Sequence, residues 1–113
     1  MSATIRTILY PVRDLAAAKE LFTAFLGVAP SMDQPYYVGY DVEGQHIGLD
    51  PNGHAKGMTG PVGYRHVDDI EASLRALLDA GGEVRQEPKD VGGRLIASVA
   101  DPDGNVIGLA QDL

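Results

Sequence analysis

Cysteine and tryptophan are both absent from the 113 residues. Without cysteine there is no disulfide framework, no thiol nucleophile and no thiolate metal site. Positive charge is scarce as well: nine Lys and Arg face sixteen Asp and Glu, the net charge is −7, and no basic run occurs. That balance sets nucleic acid and anionic membranes aside as partners. No apolar run approaches the roughly 18 residues of a membrane span. The opening Met-Ser-Ala-Thr-Ile-Arg-Thr lacks the apolar core of a signal peptide. The expectation is a cytoplasmic protein with a small-molecule partner. The length suits a single domain over 1–113, built as two halves of about 55 residues that share a core.

What is present is a pattern that repeats. Ile5 to Val12 reads as a strand with Ile8, Tyr10 and Val12 on one face and Thr7 and Leu9 on the other. Asp14 is placed to cap a helix whose apolar stripe is Leu15, Ala18, Leu21, Phe22, Phe25 and Leu26, and Gly27 ends it. Strands are expected near Ala29 to Met32, from Tyr36 to Val42 and from Gln45 to Asp50. A two-residue turn at Glu43-Gly44 pairs Asp41 with His46 and Gly39 with Gly48. That register puts Tyr37, Gly39, Asp41, His46, Gly48 and Asp50 on one face. Residues 51–61 read as a linker, with His54 solvated.

The second half, about 62–112, echoes the first, about 4–50. Val12-Arg13-Asp14-Leu15 recurs fifty-five positions later as Val67-Asp68-Asp69-Ile70, and Gly27 recurs as Gly82. Asp69 caps a second helix with Ile70, Leu74, Leu77 and Leu78 as its stripe. Strands follow near Glu83 to Gln86, Arg94 to Ala100 and Asn105 to Gln111. Arg65 falls on the helix-facing side of its strand, where Asp68 is a local partner. The register of Arg94 to Ala100 is open, because a three-residue and a four-residue loop at Pro102 give opposite faces. The order strand, helix, three strands is written twice. The fold class is therefore α+β: two βαβββ modules form a curved mixed sheet, an open cup, with the helices on its outer face.

The stretch Asp101-Pro102-Asp103-Gly104-Asn105, followed by the alternating Val106 to Ala110, is a type I turn entering a strand. Together with the repeat it resembles the vicinal oxygen chelate superfamily, which holds glyoxalase I, the bleomycin-resistance proteins and extradiol dioxygenases. In metal-dependent members, the resemblance implies a ligand on the first and last strand of each half. Counted onto this chain, those positions are Thr7, Gly48, Val62 and Gly108. Only one has a side-chain donor, so the resemblance points to the metal-free subgroup, with no metal and no cofactor. A relocated metal site among His46, Asp41, Asp50 and His66 is the less favoured alternative.

The favoured function is metal-independent binding of a small organic ligand in the cup: sequestration of an antibiotic or aromatic metabolite, as in bleomycin resistance. Thr7, Tyr37, His46, Gly48, Val62, Tyr64, His66 and Gly108 are the expected ligand-binding residues. Tyr37 and Tyr64 offer flat faces with polar tips, and Tyr40 is assigned to packing. The alternative is a glyoxalase-like or dioxygenase-like enzyme with displaced ligands, or a metal-free acid–base catalyst drawing on His46, Asp41 and His66. An accessory or structural subunit is a third option. The family's habit of exchanging modules between chains implies a homodimer.

Overall fold

A computed structural model describes residues 4–113. The fold is α+β, with the order strand, helix, three strands occurring twice. Residues 6–61 form one compact unit, and residues 62–113 with the first described residues form the other. No helix among the described residues is long and apolar enough to cross a membrane.

The first unit contains β1 (Ile5–Pro11) from Arg6 onward, α1 (Leu15–Leu26), β2 (Met32–Gln34), β3 (Tyr37–Val42) and β4 (Gln45–Asp50). β4 lies between β1, to which it is parallel, and β3, to which it is antiparallel. The Glu43-Gly44 turn has φ of 49° and 88°, the two positive values that a tight hairpin loop requires. The pairings Val42 with Gln45, Asp41 with His46 and Gly39 with Gly48 follow from that turn, as the alternation predicts.

The Asp14 carboxylate accepts from the Ala17 amide at 3.1 Å, and Gly27 at φ 74° closes α1. Val38, Tyr40, Ile47 and Leu49 form the buried core under α1, with Ile8, Tyr10, Val12, Leu15, Ala18, Phe22 and Leu26 packed around it. Tyr40 is fully buried and in the packing role expected for it. Its hydroxyl donates to the Lys19 carbonyl at 3.0 Å and also bonds the Thr23 hydroxyl at 2.8 Å.

Three expectations in this half are corrected. The short strand falls at Met32–Gln34 rather than near Ala29 to Met32, because it must reach register with Tyr37 to Gly39. Leu21 and Phe25 are 68% and 73% exposed, so the helical stripe is wider than the surface that covers it. The linker contains a short 3-10 turn, His54–Lys56, and His54 is half-buried rather than solvated.

The second unit contains β5 (Val62–His66), α2 (Ile70–Asp79), β6 (Glu83–Asp90), β7 (Arg94–Ala100) and β8 (Val106–Asp112). β8 lies between β5, parallel to it, and β7, antiparallel to it, and β6 continues antiparallel beyond β7. Asp69 caps α2 through the Ala72 amide at 3.1 Å. The side chain of Gln111 reaches the same end and accepts from the Ile70 amide at 2.8 Å.

Ile70, Leu74, Ala97, Val99 and Leu109 form this half's core. The echo of Gly27 is shared by two residues. Gly81, at φ 106°, supplies the left-handed turn. Gly82 supplies close approach, since a Cβ there would lie 2.4 Å from Val99 Cγ1. β6 runs four residues past the expected Gln86, to Asp90, and two register shifts carry it there. Arg65 has the predicted helix-side parity opposite Leu109 and is exposed.

Candidate functional site

The face of β3 and β4 turned away from α1 has a floor without side chains. Gly39 and Gly48 are direct cross-strand partners. A Cβ on Gly48 would lie 2.0 Å from Tyr37 Oη and 2.6 Å from Leu9 Cδ2. On Gly39 it would lie 2.8 Å from His46 Cε1 and 3.1 Å from Tyr37 Cε2. Both rings therefore rest against backbone in a space that only glycine leaves open.

Tyr37 Oη meets His46 Nε2 at 2.6 Å, and the two ring planes are 11° apart with centroids separated by 5.9 Å. A hydrogen bond to an imidazole nitrogen lies in the ring plane. The two rings are nearly parallel and are linked through that hydrogen bond. On its other side, His46 Nδ1 meets Asp41 Oδ1 at 3.1 Å.

The direction of these bonds follows from the chemistry of the groups. A carboxylate only accepts, so Nδ1–H donates to Asp41. In the neutral imidazole Nε2 is then the acceptor, and the Tyr37 hydroxyl donates to it. Asp41 is 69% exposed at its side chain and His46 only 25%. The relay thus runs from solvent inward, from a charged end to a phenol oxygen above the glycine floor.

Thr7, the first expected ligand-binding residue, is buried on β1 and is the register partner of His46. The structure thus brings Thr7, Tyr37, His46, Gly48 and the candidate Asp41 together on one face of the first half. Asp50 is engaged elsewhere: its carboxylate accepts from the Asn52 amide and from Lys56 Nζ, both at 2.8 Å. Leu9 and Gly39 also belong to the face. The signal for Gly39 was two glycines directly opposite each other in one hairpin.

In the second half, Val62, Tyr64 and His66 share the face of β5 turned away from α2, with Val62 and Tyr64 buried and His66 half-buried. Tyr64 is the register partner of Gly108, and a Cβ on Gly108 would lie 2.3 Å from Tyr64 Cδ2. The ring therefore lies flat on the glycine. The register left open at Arg94 to Ala100 is set by the turn. The Asp101 amide donates to the Asn105 carbonyl at 2.9 Å, and Ala100 pairs with Val106. Ile96 and the buried Ser98 consequently share the face of Gly108 and Ala110. No strand pattern could have found Ser98 before that turn was known.

Residues 4–109 match the profile of the glyoxalase/bleomycin resistance protein/dioxygenase superfamily. The chain belongs to this superfamily. No curated protein sequence matches the chain.

Among solved structures, a member of the superfamily from Vibrio splendidus 12B01 is similar with a TM-score of 0.71 and 19% identity, covering 94% of this chain and 97% of that one. Methylmalonyl-CoA epimerase from Mycobacterium tuberculosis gives 0.65 and 17%, covering 100% and 93%. The Mn(II)-bound glyoxalase from Novosphingobium aromaticivorans gives 0.69 and 20%, covering 98% of this chain and 40% of its own. At these identities the likeness is one of fold.

The metal that superfamily membership suggests does not fit the residues found here. Of the four strand positions where the resemblance implies ligands, Thr7 carries a hydroxyl, Val62 is apolar, and Gly48 and Gly108 have no side chain. The space of a ligand side chain at Gly48 is taken by Tyr37 and Leu9, and at Gly108 by Tyr64. A divalent ion that needs imidazole or carboxylate at about 2.0–2.6 Å finds neither at these four positions. Among the described residues, no group of three or more His, Asp or Glu is arranged for a metal elsewhere.

Proposed function

We propose that this protein binds a small, planar organic ligand without a metal ion, and that it sequesters the ligand as bleomycin-resistance proteins do. The observation that carries the reading is the surface made by Tyr37 and His46 on the Gly39–Gly48 floor. Flat aromatic area beside a few fixed polar atoms is what a site for an aromatic antibiotic or metabolite requires. The donor-poor strand positions support the same reading, since relatives that convert their substrates on a metal need ligands there.

The test is a thermal-shift and calorimetric screen of aromatic natural products, bleomycin included, with and without chelator. The expected result is a stoichiometric ligand whose affinity is insensitive to chelator and is lost in Tyr37→Ala. A requirement for added divalent metal would overturn it.

A second reading has its own observation. The ordered Tyr37–His46–Asp41 relay is also the arrangement of an acid–base catalyst that needs no metal. Turnover of the bound compound, abolished in His46→Ala while binding persists, would select that reading.

The proposal includes a homodimer. Leu21 and Phe25, one turn apart on α1, are apolar and exposed, which suits a second copy of this chain. A sedimentation measurement in which Leu21→Glu converts dimer to monomer tests it.

A further inference from the structure

We propose that the second half has a site of its own for an organic carboxylate, built on β6 and β7 from Ser98, Gln86 and Lys89. The inference goes beyond the ligand reading above, which stands on the first half alone. It starts from a buried hydroxyl. Ser98 is 8% exposed, and its side chain has no hydrogen-bond partner among the described residues. A buried polar group ordinarily has one.

Ser98 pairs with Gln86 on one side and with Gly108 on the other, so all three share the face turned away from α2. The Tyr64 ring fills the space over Gly108 and makes an apolar wall beside the hydroxyl. Lys89 pairs with Ile96, two residues along β7 from Ser98, and so faces the same way. Residues three apart on a regular strand point to opposite faces. Gln86 and Lys89 share one because the pairing slips between them, a break in the ladder of the kind that re-aims a side chain at a site. The row of Ile96 lies roughly 7 Å from that of Ser98, within reach of a lysine side chain.

All three side chains donate: a hydroxyl, a carboxamide and an ammonium. Lys89 belongs to no ion pair among the described residues, whereas Arg94, the next cation on this face, is held by Asp112 at 2.7 Å. A carboxylate accepts from all three groups and neutralises the lysine. Glu83, paired with Ala100, stands on the far side of Ser98 and turns the negative group toward Lys89. Ile96 and Ala110 supply apolar surface for the rest of the ligand.

The experiment titrates the full isotope-labelled chain with benzoate, benzamide and benzylamine and follows its backbone and carboxamide signals by two-dimensional NMR. The probes share a ring and differ in the polar end. Wild type is expected to bind benzoate about tenfold more tightly than benzamide, with saturable shifts at Gln86, Lys89 and Ser98, and to bind benzylamine more weakly than either.

Lys89→Gln should bring benzoate down to the level of benzamide. Arg75→Gln removes the same charge from the exposed side of α2 and should leave the ratio as it is. Ser98→Ala should keep the folded spectrum and weaken benzoate and benzamide alike, each about fivefold. Benzoate binding no tighter than benzamide, a ratio unchanged in Lys89→Gln, or an equal fall in Arg75→Gln would overturn the proposal. Saturable shifts confined to Tyr37 and His46 would speak for the first half's site and against this one.

Discussion

The two halves repeat one plan, and each has a glycine on its last strand, yet the space beside that glycine is used in opposite ways. Tyr64 sits directly opposite Gly108 on β5 and lays its ring face on it, buried, as a piece of packing. Tyr37 reaches Gly48 from β3 with its hydroxyl, and the hydroxyl is tied to His46 and Asp41. A missing side chain therefore does not by itself predict a cavity. The approach direction of the ring decides whether the slot is covered by an apolar ring face or reached by a polar tip. The helices differ in the same sense: α2 buries Ile70 and Leu74, whereas α1 has no buried residue.

The largest effect is expected from the helices. Leu74 sits in the core with Ile70, Ala97, Val99 and Leu109, so Leu74→Ala should cost about 3 kcal/mol in chemical denaturation. Leu21→Ala, at a position of the same helical pattern but exposed, should cost below about 0.5 kcal/mol in a dilute sample. Equal costs would mean that α1 is as firmly packed as α2, and the contrast between the helices would be lost.

Next comes the glycine pair. Gly108→Ala drives a methyl into the face of a buried ring and is expected to cost about 2–3 kcal/mol. Gly48→Ala meets the far ends of Tyr37 and Leu9, which can swing away, so about 1 kcal/mol is expected. Its main consequence should be functional. Displacing Tyr37 Oη breaks the bond to His46, so ligand affinity should fall more than stability does. If Gly48→Ala proved the more destabilising of the two, Tyr37 would be as tightly held over its glycine as Tyr64 is over Gly108.

These contrasts also show how much was legible beforehand. Both modules, both Asp helix caps and the Glu43-Gly44 register could be read because each rests on local rules: side-chain period, capping chemistry and turn conformation. The face carrying Tyr37, Asp41, His46 and Gly48 could be read from that register. The relay itself could not, since parity places side chains on a face without saying which atoms meet. The exposure of Leu21 and Phe25 was hidden for another reason. Helical spacing marks an apolar stripe but not the width of the sheet that covers it. Ser98 was hidden by a turn whose hydrogen bonding, not its length, fixes the register.

A smaller effect is expected at Tyr40. Its hydroxyl is bonded to the Thr23 hydroxyl and the Lys19 carbonyl, so Tyr40→Phe should cost about 1 kcal/mol and leave ligand binding unchanged. Tyr37→Phe should do the reverse, with little change in stability and a large change in affinity. A loss of affinity in Tyr40→Phe would mean that the helix-facing and open faces of β3 are energetically coupled.

The smallest effect separates the two terminal hairpins by pH. The Glu43-Gly44 turn is held by backbone conformation, so its contribution should not vary with pH. The Asp101 turn is held by a charge. One carboxylate oxygen accepts from the Asn105 side chain at 2.9 Å, and the other accepts from the Asn105 and Asp103 amides at 2.8 and 2.9 Å. The Asn105 side-chain bond first, and then the backbone amides, hold the carboxyl below its ordinary range.

Because the folded value lies below the unfolded one, the unfolded chain binds the proton more readily. The stabilisation is complete above the ordinary carboxylate value of about 4 and is lost as pH falls through the lowered folded value. The difference in melting temperature between wild type and Asp101→Asn should therefore be constant from pH 7 to about 5 and shrink below about 4. The difference between wild type and Gly44→Ala should stay level throughout. A gap at Asp101 that is flat to pH 2.5 would show that the turn is held by its shape alone, as its counterpart in the first half is.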